Sequence, residues 1–109
     1  MASLGTVKWQ GQSGNSYEYH VYPIDQTFKS APGNYIFSKQ DAAGRWTPQY
    51  MGQTKDFADR LSNHEKEACA KRNGATHIHL HVNQYESTRL AEEKDLVVAW
   101  KPCCNVLLK

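Results

Sequence analysis

The segment His77-Ile78-His79-Leu80-His81-Val82 alternates imidazole and apolar side chains without interruption. Successive side chains of a strand point to opposite faces, so Ile78, Leu80 and Val82 line one face and the three histidines the other. A helix would scatter both sets around its axis. The segment, with its flanks Thr76 to Asn83, is therefore read as a strand, and the rest of the chain must supply its neighbours. The imidazole face reads as the polar, outward side of a sheet, able to contact phosphate if nucleic acid lies against it. A zinc site on His77, His79 and His81 is the alternative reading, since imidazole is a good zinc ligand. However, alternate residues on a strand stand roughly 7 Å apart, and a straight row seldom closes around one ion.

Further strands are expected at Val7 to Gln10 and Tyr17 to Tyr22, separated by the turn-forming run Gly11 to Ser16. Tyr17, Tyr19 and Val21 alternate with Glu18, His20 and Tyr22, as in a half-buried strand. Asn34 to Lys39 and Thr47 to Met51 flank the turn Asp41-Ala42-Ala43-Gly44 and predict a hairpin. One helix is expected from Thr54 to Asn73-Gly74, capped by Thr54 or Asp56, with Phe57, Leu61, Ala68 and Cys69 as its apolar stripe. A second is expected from Ser87 or Thr88 to about Trp100, stopped by Pro102, with Asn105 to Leu108 as a short extension. No strand-helix-strand unit repeats, so the fold class is α+β, a small mostly antiparallel sheet flanked by helices.

A chain of 109 residues suits one compact domain. The formal charge is only +2, so any nucleic acid must be held by a local patch of basic charge. No apolar run reaches membrane-spanning length, and no membrane partner is expected. The N-terminal residues carry no basic-then-apolar leader pattern. Cys69, Cys103 and Cys104 are odd in number and show no disulfide spacing. They read as reduced thiols in a cytoplasmic protein, the last two as small half-buried residues rather than a redox or metal pair.

Polar residues beside the helical stripes are the candidate functional groups. Arg60 and His64 are four apart, next to Phe57 and Leu61, where a basic pair could neutralise a phosphate. The plainer reading is a snorkelling arginine with a solvated histidine. In the second helix Leu90, Leu96, Val97 and Trp100 mark the expected buried face. Glu93 projects from that face, while Glu92 points elsewhere into solvent. A carboxylate on a buried face needs a cation, either a hard metal ion such as Mg²⁺ or a structural partner such as Arg60; the residues alone leave these two even.

Six elements in order resemble the GIY-YIG nuclease family: Gly33-Asn34-Tyr35, Tyr50-Met51-Gly52, Arg60, His64, Glu93-Lys94-Asp95-Leu96-Val97 and Asn105. The resemblance runs from about Pro32 to Leu108. Asn34 and Met51 replace the aliphatic residues usual in the two triplets, and Gln53 stands where some repair-type members have lysine. The resemblance implies a single domain over residues 1–109, in which 32–109 form the nuclease core and 1–31 an added N-terminal hairpin. It implies a metal-dependent endonuclease hydrolysing phosphodiester bonds, with DNA favoured over RNA. Glu93 would bind one Mg²⁺ or Mn²⁺, Arg60 would clamp a non-bridging oxygen, and Tyr35 or Tyr50 would deprotonate water, with Tyr35 preferred. His64 would orient that tyrosine or relay its proton, Asn105 would tether the site, and Lys55 would contact substrate. A homodimer mate or a targeting partner would supply the recognition that one small domain lacks. The alternatives are a non-cleaving nucleic-acid module or a protein-interaction module using Trp9, Tyr17, Tyr19 and Tyr22. Those aromatics read first as core.

Overall fold

The structure, a computed structural model, describes residues 3–62 and 64–105. Five strands, β1 (Thr6–Gln10), β2 (Ser16–Pro23), β3 (Gly33–Gln40), β4 (Trp46–Thr54) and β5 (His77–Val82), form one sheet in the order β1-β2-β5-β3-β4. Every pairing is antiparallel. The β3–β4 hairpin closes through Asp41, whose Oδ1 accepts the N–H groups of Ala43 and Arg45 at 2.9 Å. Gly44 turns there with φ 85°, a conformation open to glycine without cost.

Helices α1 (Phe57–Ser62) and α2 (Glu67–Arg72) cover one face of the sheet and α3 (Glu86–Trp100) the other. Under α1 and α2 lie Tyr35, Phe37, Phe57, Leu61, Ala70, Ile78 and Leu80. Under α3 lie Trp9, Tyr19, Ile36, Met51 and Leu96. Trp9 and Tyr19 are thus core, as their alternation predicts.

Four expectations are corrected. The imidazole face of β5 is not outward. β5 lies between β2 and β3, and the Trp9 and Trp46 rings pack on its imidazole face, so His79 is fully buried. Trp9 Nε1 donates to His79 Nδ1 at 3.0 Å, which leaves Nε2 without a partner. That orphan costs about 1–3 kcal/mol, an amount one neighbouring buried side chain such as Ile36 or Met51 offsets. Among the described residues, no three metal-ligating side chains converge.

The expected single helix is two. Asp56 does cap α1, accepting Ala58 N–H at 3.0 Å. The chain then turns so that His64 faces inward, where its Nδ1 accepts the backbone N–H of Lys66 at 2.9 Å. The break resets the helical phase: Ala70 is buried and Ala68 exposed.

In α3 the buried face is Arg89, Glu92 and Leu96, whereas Leu90 is 47% and Trp100 43% exposed. Glu92, expected in solvent, is 2% exposed. Its Oε2 accepts Tyr19 Oη at 2.5 Å and faces His81 Nδ1 at 2.8 Å. Leu96 satisfies both assignments, so the apolar spacing fixed the helix but not its rotation.

The cysteines are not all reduced. Cys69 and Cys104 form a disulfide linking α2 to the segment after α3, and Cys103 is free and exposed.

That segment also covers the outer edge of β4. Cys104 N–H donates to the Gln49 carbonyl at 2.8 Å. The Asn105 amide brackets Met51, with Oδ1 accepting its N–H and Nδ2 donating to its carbonyl, both at 2.9 Å. Val106 to Leu108 lie outside the described residues. No described helix is long and apolar enough to cross a membrane.

Candidate active site

The site is built on the β3–β4 hairpin and closed by α1, the following turn and α3. Tyr35 pairs across the hairpin with Gly52, and Phe37 with Tyr50. A Cβ on Gly52 would stand 2.6 Å from Tyr35 Oη, and one on Gly33 would stand 2.2 Å from the His81 carbonyl oxygen. The two triplet glycines therefore have a steric cause: one clears the path of the Tyr35 ring, the other admits the neighbouring strand.

His64 packs edge-on against both Tyr35 and Tyr50, whose own rings are tilted at 33° to each other. Ring centroids are 6.1 Å apart for Tyr35–Tyr50, 5.3 Å for Tyr35–His64 and 5.0 Å for Tyr50–His64. Tyr35 Oη lies 2.6 Å from His64 Nε2. Since Nδ1 of His64 accepts a backbone N–H, the neutral ring carries its proton on Nε2 and donates it to Tyr35. Burial first, then the charge of Arg60, lowers the His64 pKa to about 4, so the ring is neutral near pH 7. Burial and Tyr50 raise Tyr35, with Arg60 opposing. Burial and Glu93 raise Tyr50, again opposed by Arg60. One cation and one carboxylate thus act on both phenols.

Arg60 reaches this cluster from α1 but is already engaged. Its Nη1 and Nη2 donate to Glu65 at 2.7 and 2.8 Å. That pair draws the exposed Glu65 carboxyl down to about 2. Glu65 was not legible as a site residue, because a separation of five is no helical neighbour and only the break in the helix brings it round.

Glu93 is half-buried, and burial raises its pKa; the Gln53 backbone on the outer edge of β4 opposes this. Among the described residues no cationic side chain pairs with it. A partly desolvated carboxylate without a protein counter-charge fits a hard divalent cation whose other ligands are water and phosphate oxygens. Asn105 stands beside Tyr50 through its bracket on Met51. Lys55 is exposed in the link from β4 to α1. The sequence-predicted residues other than Lys55 thus gather about β4.

No family model matches the sequence, and no curated protein matches it. Solved structures of the GIY-YIG N-terminal endonuclease domain of UvrC from Thermotoga maritima do match. The form bound to magnesium as its catalytic cation is 26% identical with TM-score 0.57, covering 72% of this chain and 86% of that one. A point mutant of the same domain, bound to its catalytic divalent cation, is 26% identical with TM-score 0.58 over 72% and 87%. This chain has a GIY-YIG-like fold. The GIY-YIG-like architecture accounts for the antiparallel hairpin carrying both triplets and for the α+β class read from the sequence.

Proposed function

We propose that this chain is a metal-dependent endonuclease that hydrolyses phosphodiester bonds of nucleic acid, DNA in preference to RNA. The observation that carries the reading is the half-buried Glu93, without a cationic partner among the described residues, beside two tyrosines, one of which accepts a hydrogen bond from the His64 Nε2–H. A divalent cation held by Glu93, Mg²⁺ or Mn²⁺, would supply charge stabilisation on the scissile phosphate and the leaving 3′ oxygen.

The chain's own residues take the remaining roles. Tyr35 is the general base that accepts the proton of the attacking water. Burial keeps it neutral in the free protein, so its own hydroxyl proton is first released to solvent; Arg60, the His64 Nε2–H and a bound cation would favour the resulting phenolate. His64 already carries a proton on Nε2, so it positions Tyr35 rather than receiving the proton from it. Tyr50, nearer in effect to Glu93, orients the water. Arg60 exchanges Glu65 for a non-bridging phosphate oxygen. Glu65 is exposed, so solvent can take over the carboxylate that Arg60 gives up. Asn105 fixes β4, and Lys55 contacts the nucleic-acid backbone. Residues 32–109 form the nuclease core and 1–31 an added hairpin. A dimer mate or targeting partner supplies base-edge contacts. The cytoplasm remains the proposed location; the Cys69–Cys104 bond, uncommon there, makes cell fractionation the check.

A second reading, a non-cleaving nucleic-acid module, is favoured by the occupied guanidinium of Arg60. One assay separates the two: cleavage of plasmid, single-stranded, branched DNA and RNA with Mg²⁺ or Mn²⁺, by wild type, Glu93→Ala and Arg60→Ala. Metal-dependent cutting lost by roughly 100- to 1,000-fold or more in both folded variants is expected. Wild-type binding without cutting on any substrate would select the second reading.

A further inference from the structure

Arg89 and Glu93 lie four apart on α3, a spacing at which opposite charges ordinarily meet. They do not pair. The ion pairs among the described residues are Asp41–Arg45, Arg60–Glu65, Asp25–Lys71–Glu67 and His81–Glu92. Arg89 is only 4% exposed and meets neutral acceptors alone. Its Nε donates to Gln53 Oε1 at 3.0 Å and its Nη1 to the Asn83 carbonyl at 3.2 Å. Nη2 has no hydrogen-bond partner among the described residues, yet it is absent from the sealed, unpartnered atoms Asn34 Oδ1, Ser38 Oγ, Gln49 Oε1 and His79 Nε2. It is therefore the part of the guanidinium that is neither bonded to a described residue nor fully sealed.

A desolvated guanidinium without a counter-charge is unfavourable unless an anion completes it. Here two neutral acceptors fix its plane and leave Nη2 unused among the described residues, a donor with which arginine can take a phosphate oxygen. Gln53 joins this group to the candidate active site. Its side chain holds Arg89, while its backbone faces Glu93. Four residues, about 6 Å of rise, separate the two along α3, comparable with the spacing of neighbouring phosphates on one strand.

We propose that Arg89 binds a second backbone phosphate, the one flanking the phosphate to be cut. The inference rests on the nuclease reading and deepens it: the enzyme grips two consecutive phosphates from one helix, independently of base identity.

The test measures binding of a short double-stranded DNA oligonucleotide in Ca²⁺ across a salt series, with cleavage in Mg²⁺ alongside. Wild type, Arg89→Met, Arg89→Lys and Gln53→Ala are compared. Arg89→Met is expected to bind about 10- to 100-fold more weakly, with the salt slope reduced by about one. Arg89→Lys keeps the charge and should retain the slope with an intermediate affinity. A folded Arg89→Met protein with wild-type affinity and slope overturns the proposal while leaving the nuclease reading intact. A wild type that neither binds nor cuts overturns both. Should Arg89→Met not fold, Gln53→Ala decides, since it leaves Arg89 present but unaimed: weakened binding supports the proposal and unchanged binding refutes it.

Discussion

Glu92 and Glu93 are chain neighbours with opposite surroundings. Glu92 is sealed between α3 and the sheet, and its Oε2 accepts Tyr19 and faces His81. Glu93, about 100° further round the helix, reaches the β4 edge with no cationic partner among the described residues. The same contrast divides the tyrosine–histidine pairs. Tyr19 and His81 share one carboxylate on the α3 side, a closed network. Tyr35 and His64, on the α1 side, bond to each other with no carboxylate between them, and the charges of Arg60 and Glu93 act on Tyr35 without closing round it. Residue type therefore does not mark the site; the incomplete set of partners does.

Exchanging the roles of the two glutamates should produce the largest effect. Glu93→Ala is expected to abolish metal-dependent cutting with little change in Tm. Glu92→Ala leaves the buried Tyr19 hydroxyl and His81 without their acceptor and should cost about 3 kcal/mol of stability, read by denaturant unfolding, while the folded fraction still cuts. A Glu92→Ala protein that is stable but inactive would erase the distinction between the two sides.

Next comes the covalent tie. Reducing Cys69–Cys104, or replacing both by Ser, should lower stability by about 2–4 kcal/mol, as expected for a bond joining residues 35 apart. It ties α2 to the segment carrying Asn105. Activity should consequently fall on warming at a lower temperature than in the oxidised protein, monitored by cleavage against temperature with and without reductant. Equal thermal profiles would show that the Asn105 bracket holds β4 unaided.

The sheet was legible because alternation on β5 and β2, and the turn residues between β3 and β4, are local properties. The helices were legible in their place along the chain but not in rotation or continuity. Leu90 and Trp100 fit an apolar stripe as well as Leu96 does, and only the sheet beneath decides that Arg89 and Glu92 face inward. The turn after Ser62 depends on His64 reaching Tyr35, a contact across 29 residues. The Cys69–Cys104 pairing likewise leaves no local trace. The candidate site residues were named through their ordered resemblance to a family, since no periodicity singles them out. Glu65 and Gln53, which hold Arg60 and bridge Arg89 to Glu93, carry no such signature.

The smallest expected effect is in acid. Burial lowers His64 to about 4 and His79 to about 3. Between pH 6.5 and those values the unfolded chain binds protons that the native state does not, so stability falls as pH falls through that window. His81, raised by its bond to Glu92, acts in the opposite sense. By pH 5.5 each depressed histidine should cost on the order of 1 kcal/mol. Urea midpoints from pH 7.5 to 5 for wild type and His79→Asn check this: the variant should show the shallower decline. Equal slopes would mean that the sealed side of the sheet admits a proton as readily as the open side.

The bracket of Asn105 on Met51 has a consequence for association. An uncovered sheet margin is a template on which another chain can lay its own backbone. Along β4 the positions such a visitor would need are already occupied, at Gln49 by Cys104 and at Met51 by Asn105. At the opposite margin β1 has only five residues, and the Trp100 indole holds the Gln10 carbonyl at 2.9 Å. Both flanks of the sheet are thus blunted against edge-to-edge polymerisation, and two copies of this protein would have to meet through side chains rather than by extending each other's sheet.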